Sequence, residues 1–221
     1  MSSTDIALVA RWIVPIEPAQ TVLEDHAIIV REGKIAALLP VCEAREQFPD
    51  ARFENLPHHV LIPGLVNTHS HAAMTLLRGI ADDKPLMEWL SNHIWPLEQK
   101  WVGESFVKDG VDLAIAEMIR GGTTTFNDMY FFPEVTAQQA LRAGMRATIG
   151  MIVVDFPTAW AGNANEYIDK GLALRDSFRH ESLIHFAFAP HAPYTVSDEP
   201  LLRIRTLADE LDLPIHMHIH E

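Results

Sequence analysis

The sequence predicts an α/β protein: a (β/α)8 barrel of the TIM type, with about the first five strand–helix units present, preceded by a small N-terminal β-sandwich portion. Three observations carry that expectation. Short apolar runs alternate with amphipathic segments from residue 62 onward, the rhythm of a parallel sheet with right-handed crossovers. The polar residues able to do chemistry cluster where the apolar runs end, the side on which such barrels build their sites. The first sixty residues instead read as short strands punctuated by Gly and Pro, a β pattern without intervening helices.

The elements follow in order. Strands are expected over 6–14, 27–30 and 35–39, with Arg31-Glu32-Gly33-Lys34 turning the last two. After Pro63-Gly64, strands are expected over 65–71, 123–129, 147–154, 184–189 and 214–218. Helices are expected over 85–94, 104–120, 133–143, 165–178 and 197–211. Ser197 and Asp198 stand where N-caps belong, and Gly121-Gly122 and Gly144 where helices stop. Domains are therefore placed at 1–61, the N-terminal part of a small β-sandwich domain, and 62–221, a barrel. A complete eight-stranded barrel takes about 250 residues. Only about 160 follow Leu61, so the expectation is a segment of a longer chain whose barrel is incomplete at its C-terminus. A doubly wound open sheet is the competitor, but no G-x-G-x-x-G follows any strand, which removes the dinucleotide site of that fold.

Composition narrows the partners. Formal net charge is -13 with His neutral, against a nucleic-acid partner, because phosphate binding needs clustered Lys and Arg. No apolar window reaches bilayer-spanning length, and the N-terminus lacks the basic and apolar regions of a secretory signal, so neither membrane nor export is expected. A single cysteine, Cys42, suits a reducing cytoplasm and is expected to be a buried structural thiol.

His69 and His71 close the apolar run that begins at Val60. Side chains two apart on a strand project to one side, so both imidazoles can reach one ion. Neutral imidazole is a good ligand for zinc. The competing reading is a strand-end pair with no ligand. A second cluster, His216, His218, His220 and Glu221, favours metal, and Pro190-His191 ends another apolar run. Catalytic zinc takes three protein ligands and keeps a position open. Spacing alone leaves open which histidine of the second cluster binds, since all three alternate onto one side. Glu221 is the carboxylate placed to move a proton beside the metal. His58 and His59 read as linker; His26, His93, His180 and His185 read as surface or packing residues.

The stretch from Pro63 to His71, with Met74-Thr75-Leu76-Leu77-Arg78-Gly79, resembles the amidohydrolase superfamily. Glu88-Trp89-Leu90, Trp95-Pro96-Leu97-Glu98, Asp128-Met129-Tyr130, Pro190-His191 and His218-Ile219-His220-Glu221 make the chain similar to the 5-methylthioadenosine/S-adenosylhomocysteine deaminases and their cytosine-deaminase-like relatives. The resemblance implies His69, His71 and His218 as zinc ligands, His218 being chosen because the family's ligand lies three residues before its catalytic Glu. It implies Glu221 as the residue that carries a proton from water to the purine ring and meets the substrate there. It implies Glu98 as acceptor of the ribose hydroxyls, His191 as a substrate contact and Trp89 as part of an apolar wall. Solvated helix end and plain core packing are the competing readings for Glu98 and Trp89.

The implied activity is hydrolytic removal of the 6-amino group of an adenine nucleoside thioether as ammonia. One zinc per subunit is implied, because the fourth strand lacks the lysine that bridges two metals in other members; iron or manganese would be tolerated. A homo-oligomer is implied at family level. Guanine, cytosine or triazine rings are alternative substrates, and a non-catalytic metal-binding domain is the alternative of another class. Arg142 or Arg146 could meet a homocysteine carboxylate.

Overall fold

The computed structural model describes residues 5–220. Two compact units divide at Gly64/Leu65.

The first unit is a four-stranded mixed sheet of order β3-β2-β1-β4. β1 (Ile6–Ile13) pairs antiparallel with β2 (His26–Arg31), which pairs antiparallel with β3 (Lys34–Pro40). Glu32 (φ 50) and Gly33 (φ 74) make the β2–β3 turn in the left-handed region that a two-residue hairpin of this twist requires. β4 (Arg52–Leu61) lies parallel to β1 at the sheet edge, which lets it carry Pro57, a residue with no N–H for a further ladder. His58 and His59 therefore stand on a strand and not in a linker. One face buries Ala7, Ala27, Ile29 and Leu39 against Ala44 of α1 (Val41–Gln47). Cys42 is exposed on that helix, correcting the expectation of a buried thiol: only Ala44 of α1 is buried.

The second unit holds four parallel strands, β5 (Leu65–Ser70), β6 (Thr123–Asp128), β7 (Arg146–Val153) and β8 (Ile184–Pro190), paired in chain order. Sequential order is what a barrel needs; the doubly wound sheet reverses order at a switch point. The crossovers carry α4 (Glu104–Arg120), α5 (Pro133–Ala143) and α6 (Ala164–Ser177), and α7 (Asp198–Leu211) follows β8. α4 buries Val107, Gly110, Val111, Ala114 and Ile115, the stripe expected of a helix laid on a sheet. Gly144 ends α5 at φ 67, where a residue without Cβ is unstrained. α6 begins one residue before its expected start because Asn163 caps it: Asn163 Oδ1 accepts Glu166 N–H at 3.1 Å, and Glu166 Oε2 reaches back to accept Gly162 N–H at 2.8 Å. Ser197 occupies the N-cap position of α7 but makes no side-chain cap bond.

Two expectations change. Residues 214–218 run beside β8, with a single parallel bridge, Phe188–Ile215, and form no strand. His216 N–H still bonds Phe188 O at 2.8 Å and His218 N–H bonds His191 O at 3.0 Å, so the segment is held in place. The helix expected over 85–94 is two pieces, α2 (Leu86–Trp89) and a wide π turn (Leu90–Ile94), and it runs on past its expected end into α3 (Trp95–Trp101). Pro96 has no N–H to give to Asn92, and the turn before it opens by one residue. No helix among the described residues is long and apolar enough to cross a membrane.

Candidate metal centre and its cavity

His69 is the penultimate residue of β5, and His71 follows the strand's end at the head of a 3-10 turn, Ala72–Leu77. His218 arrives from the segment beside β8. The three Nε2 atoms converge: His69 to His71 is 3.3 Å and His218 to His69 is 3.1 Å. Zinc–nitrogen bonds of about 2.0–2.1 Å at tetrahedral angles separate two ligating nitrogens by about 3.3 Å, so the spacing fits.

The outer nitrogens fix the tautomers. His71 Nδ1–H donates to Met129 O at 2.6 Å, which turns its bare Nε2 toward the cluster. His69 Nδ1 lies 2.8 Å from His216 Nε2. With His69 Nε2 facing the other imidazoles as a lone pair, Nδ1 carries the proton and His216 accepts. Burial first, then the neighbouring His69, His218 and His71, push His216 down to about 4, keeping it the neutral acceptor this bond needs. His220 is exposed and stands outside the group of three. Glu221 lies outside the described residues.

A cavity of about 1020 Å³ opens over this cluster. His71 and His218 line it together with Glu98, Trp89 and His191, so the structure brings these expected residues to one place, and Tyr130 lines it beside them. Glu98, on α3, accepts a hydrogen bond from Tyr130 Oη at 2.7 Å. Burial raises the Glu98 carboxyl above its ordinary range, and the Tyr130 bond opposes the rise. His191 Nδ1 lies 2.9 Å from Thr195 Oγ1, and its ring centroid is 4.9 Å from that of His218. Trp89 stands between the cavity and a small apolar cluster around Leu90 and Ile94.

Arg142 and Arg146 do not reach the cavity. Arg142 donates to Gln139 within α5 at 2.7 Å, and Arg146 begins β7 at the end remote from the histidines. Among the described lining residues there is no Lys or Arg.

Two residues that carry the resemblance have no role assigned from sequence, and the structure places both at the site. Asp128, 2% exposed at the end of β6, accepts Ala72 N–H at 2.6 Å, Ser70 Oγ–H at 3.2 Å and Thr136 Oγ1–H at 3.4 Å. It thus holds the residues on both sides of His71. Tyr130 is the other. A carboxylate ending a strand was the available signal for Asp128; the Tyr130 bond to Glu98 spans thirty-two residues and left none.

Comparison with known proteins agrees with this architecture. The amidohydrolase family model matches residues 60–221. The 5-methylthioadenosine/S-adenosylhomocysteine deaminase of Saccharophagus degradans is 52% identical over 217 residues, 98% of this chain and 49% of that protein. A crystal structure of an adenosine deaminase from Xanthomonas campestris with bound zinc has 52% identity and a TM-score of 0.94, over 97% of this chain and 49% of that one. The structure of an atrazine chlorohydrolase from Arthrobacter aurescens, 19% identical with a TM-score of 0.86 over 98% of this chain and 53% of that one, shares the fold. The chain spans about half the length of the curated relatives it matches. Imidazoles converging from the end of β5 and from the segment beside β8, and a family model that takes in every one of them, lead to one conclusion: the chain belongs to the amidohydrolase family.

Proposed function

We propose that the second unit carries a zinc-dependent hydrolytic deaminase site acting on the 6-amino group of an adenine nucleoside thioether, with the first unit as part of a small β domain. The observation that carries this reading is the convergence of His69, His71 and His218 beneath a large, mainly apolar cavity that also presents Glu98 and His191. The three imidazoles hold one zinc; the donor set would tolerate iron or manganese. Zinc supplies an activated water at neutral pH and stabilises developing charge. Glu221, three residues beyond His218, carries the proton to the purine ring. His191, steadied by Thr195, contacts the base or sugar. Glu98 accepts the ribose hydroxyls, and Trp89 with its neighbours covers the apolar part of the nucleoside. The substrate is a small molecule, the working location the cytoplasm, and the assembly a homo-oligomer.

A ribose-bearing substrate is favoured over a free guanine, cytosine or triazine ring because Glu98 is a half-buried acceptor placed at the cavity, and such rings bring no vicinal hydroxyls to it. The test is ammonia release by the full-length, zinc-loaded protein from 5-methylthioadenosine, S-adenosylhomocysteine, adenosine and guanine. Release from adenine nucleosides with guanine inert is expected. No release from any adenine nucleoside sinks the reading.

A further inference from the structure

The Glu98 carboxylate is held from one side only. Two carboxylate oxygens offer about four lone-pair sites, and among the described residues the single side-chain donor to Glu98 is Tyr130, at 2.7 Å to Oε1. Tyr130 itself is 4% exposed and sits two residues past the end of β6, where the left-handed Phe132 (φ 54) turns the chain into α5. Its ring packs beside Phe131 and faces His71, with centroids 5.4 and 6.4 Å apart. The phenol is thus a fixed donor on a rigid strand end, whereas Glu98 rides on a short helix behind a π turn. Both residues line the cavity that His71, His191 and His218 also line.

We propose that Tyr130 is the positioning residue of a diol clamp: by donating to Oε1 of Glu98 it orients the carboxylate so that the remaining lone pairs take two vicinal hydroxyls of the ligand's sugar, making the cavity selective for a cis-diol. The inference rests on the reading of Glu98 as the ribose acceptor. A cis-diol matches the need, because it brings two donors at the separation of two carboxylate oxygens. Without the phenol the half-buried carboxylate loses its one fixed donor and is free to swing away from the diol. Loss of one hydrogen bond to a charged group lowers affinity about 10-fold or more.

The test is equilibrium binding by calorimetry to the metal-free full chain, in which nothing is turned over, with adenosine and 2',3'-dideoxyadenosine as the pair of ligands. Wild type should prefer adenosine. Tyr130→Phe keeps the ring; it should weaken adenosine about 10-fold and leave dideoxyadenosine within about twofold, since the lost bond acts only through the hydroxyls. Glu98→Gln should erode the same preference. Equal weakening of both ligands by Tyr130→Phe marks a packing role and overturns the proposal, as does no weakening of either. If Glu98→Gln removes the preference while Tyr130→Phe does not, Tyr130 alone falls and the Glu98 reading stands. If wild type and Glu98→Gln bind both nucleosides alike, the Glu98 reading falls and takes the clamp with it.

Discussion

The carboxylate of Asp128 accepts the backbone N–H of Ala72 at 2.6 Å, across the gap between two neighbouring strands. Because Ser70 Oγ donates to the same oxygen, the end of β6 grips the chain on both sides of His71. The next residue, Met129, fixes the His71 ring through its carbonyl. One strand end thereby sets both the backbone and the ring of a metal-ligand candidate.

That grip has a pH signature. Burial is the main cause that pushes the Asp128 carboxyl up to about 6, with the three donors pulling the other way. The folded state therefore favours the protonated form more than the unfolded state does. The ionised carboxylate costs stability above pH 6, and that stability returns as pH falls toward 4. Relative to Asp128→Asn, which does not titrate, the metal-free wild type should gain about 1 kcal/mol between pH 7.5 and 5. Urea titrations of both proteins at several pH values measure this, and the shared histidine titrations cancel in the difference. A difference that stays flat with pH would refute it.

Removing ligands and removing their support should have different consequences for zinc. His69→Ala, His71→Ala or His218→Ala each takes one of three converging nitrogens, and tight binding should disappear. His216→Phe keeps all three but takes away the acceptor for His69 Nδ1–H. It should retain one zinc per chain with affinity lower by about 10-fold to 100-fold. Competition against a chromogenic chelator reads both, with no reliance on turnover. Unchanged affinity in His216→Phe would make that contact incidental. Zinc should also raise the melting temperature of wild type and leave His69→Ala unmoved, because a ligand stabilises only the fold that binds it.

The arginines make a negative control. Since Arg142 is bonded within α5 and Arg146 opens β7 away from the histidines, Arg142→Ala and Arg146→Ala should leave the ratio of S-adenosylhomocysteine to 5-methylthioadenosine turnover unchanged. A selective loss on the homocysteine substrate, seen in kcat/KM, would place one of them at the cavity after all.

What could be read from the sequence was what repeats with a period. The α4 boundaries follow from the stripe of Val107, Val111, Ala114 and Ile115, and His69 with His71 follows from strand alternation. β4 escaped because Pro57 and the polar His58-His59 break its alternation, which an edge strand tolerates and a central one does not. Residues 214–218 have the composition of a strand, yet their backbone finds only one bridge. The choice among His216, His218 and His220 is a matter of which ring meets His69 and His71 in space. Tyr130 and Asp128 act through partners far along the chain, so no local window could pair them with Glu98 or Ala72.

Gly110 offers a test of the same strand end from behind. α4 crosses directly against the 3-10 turn Ala72–Leu77, and a Cβ at Gly110 would run into the backbone oxygen of Ala73, with the Ala73 Cα at 2.8 Å. Backbone cannot swing aside as a flexible side chain can, so Gly110→Ala forces α4 outward or pushes the turn toward the cavity. Overpacking of this kind costs about 1–3 kcal/mol. It outweighs the gain of about 1 kcal/mol that alanine brings to a helix interior. Because Ala72 is tied to Asp128 and His71 immediately precedes it, displacement of the turn should reach the metal centre. Gly110→Ala should therefore lose both stability and zinc affinity. Gly103→Ala, at the start of the same helix with open space around its Cβ, should change zinc affinity little. Equal zinc affinity in the two variants, measured by chelator competition, would show that α4 packing and ligand placement are independent.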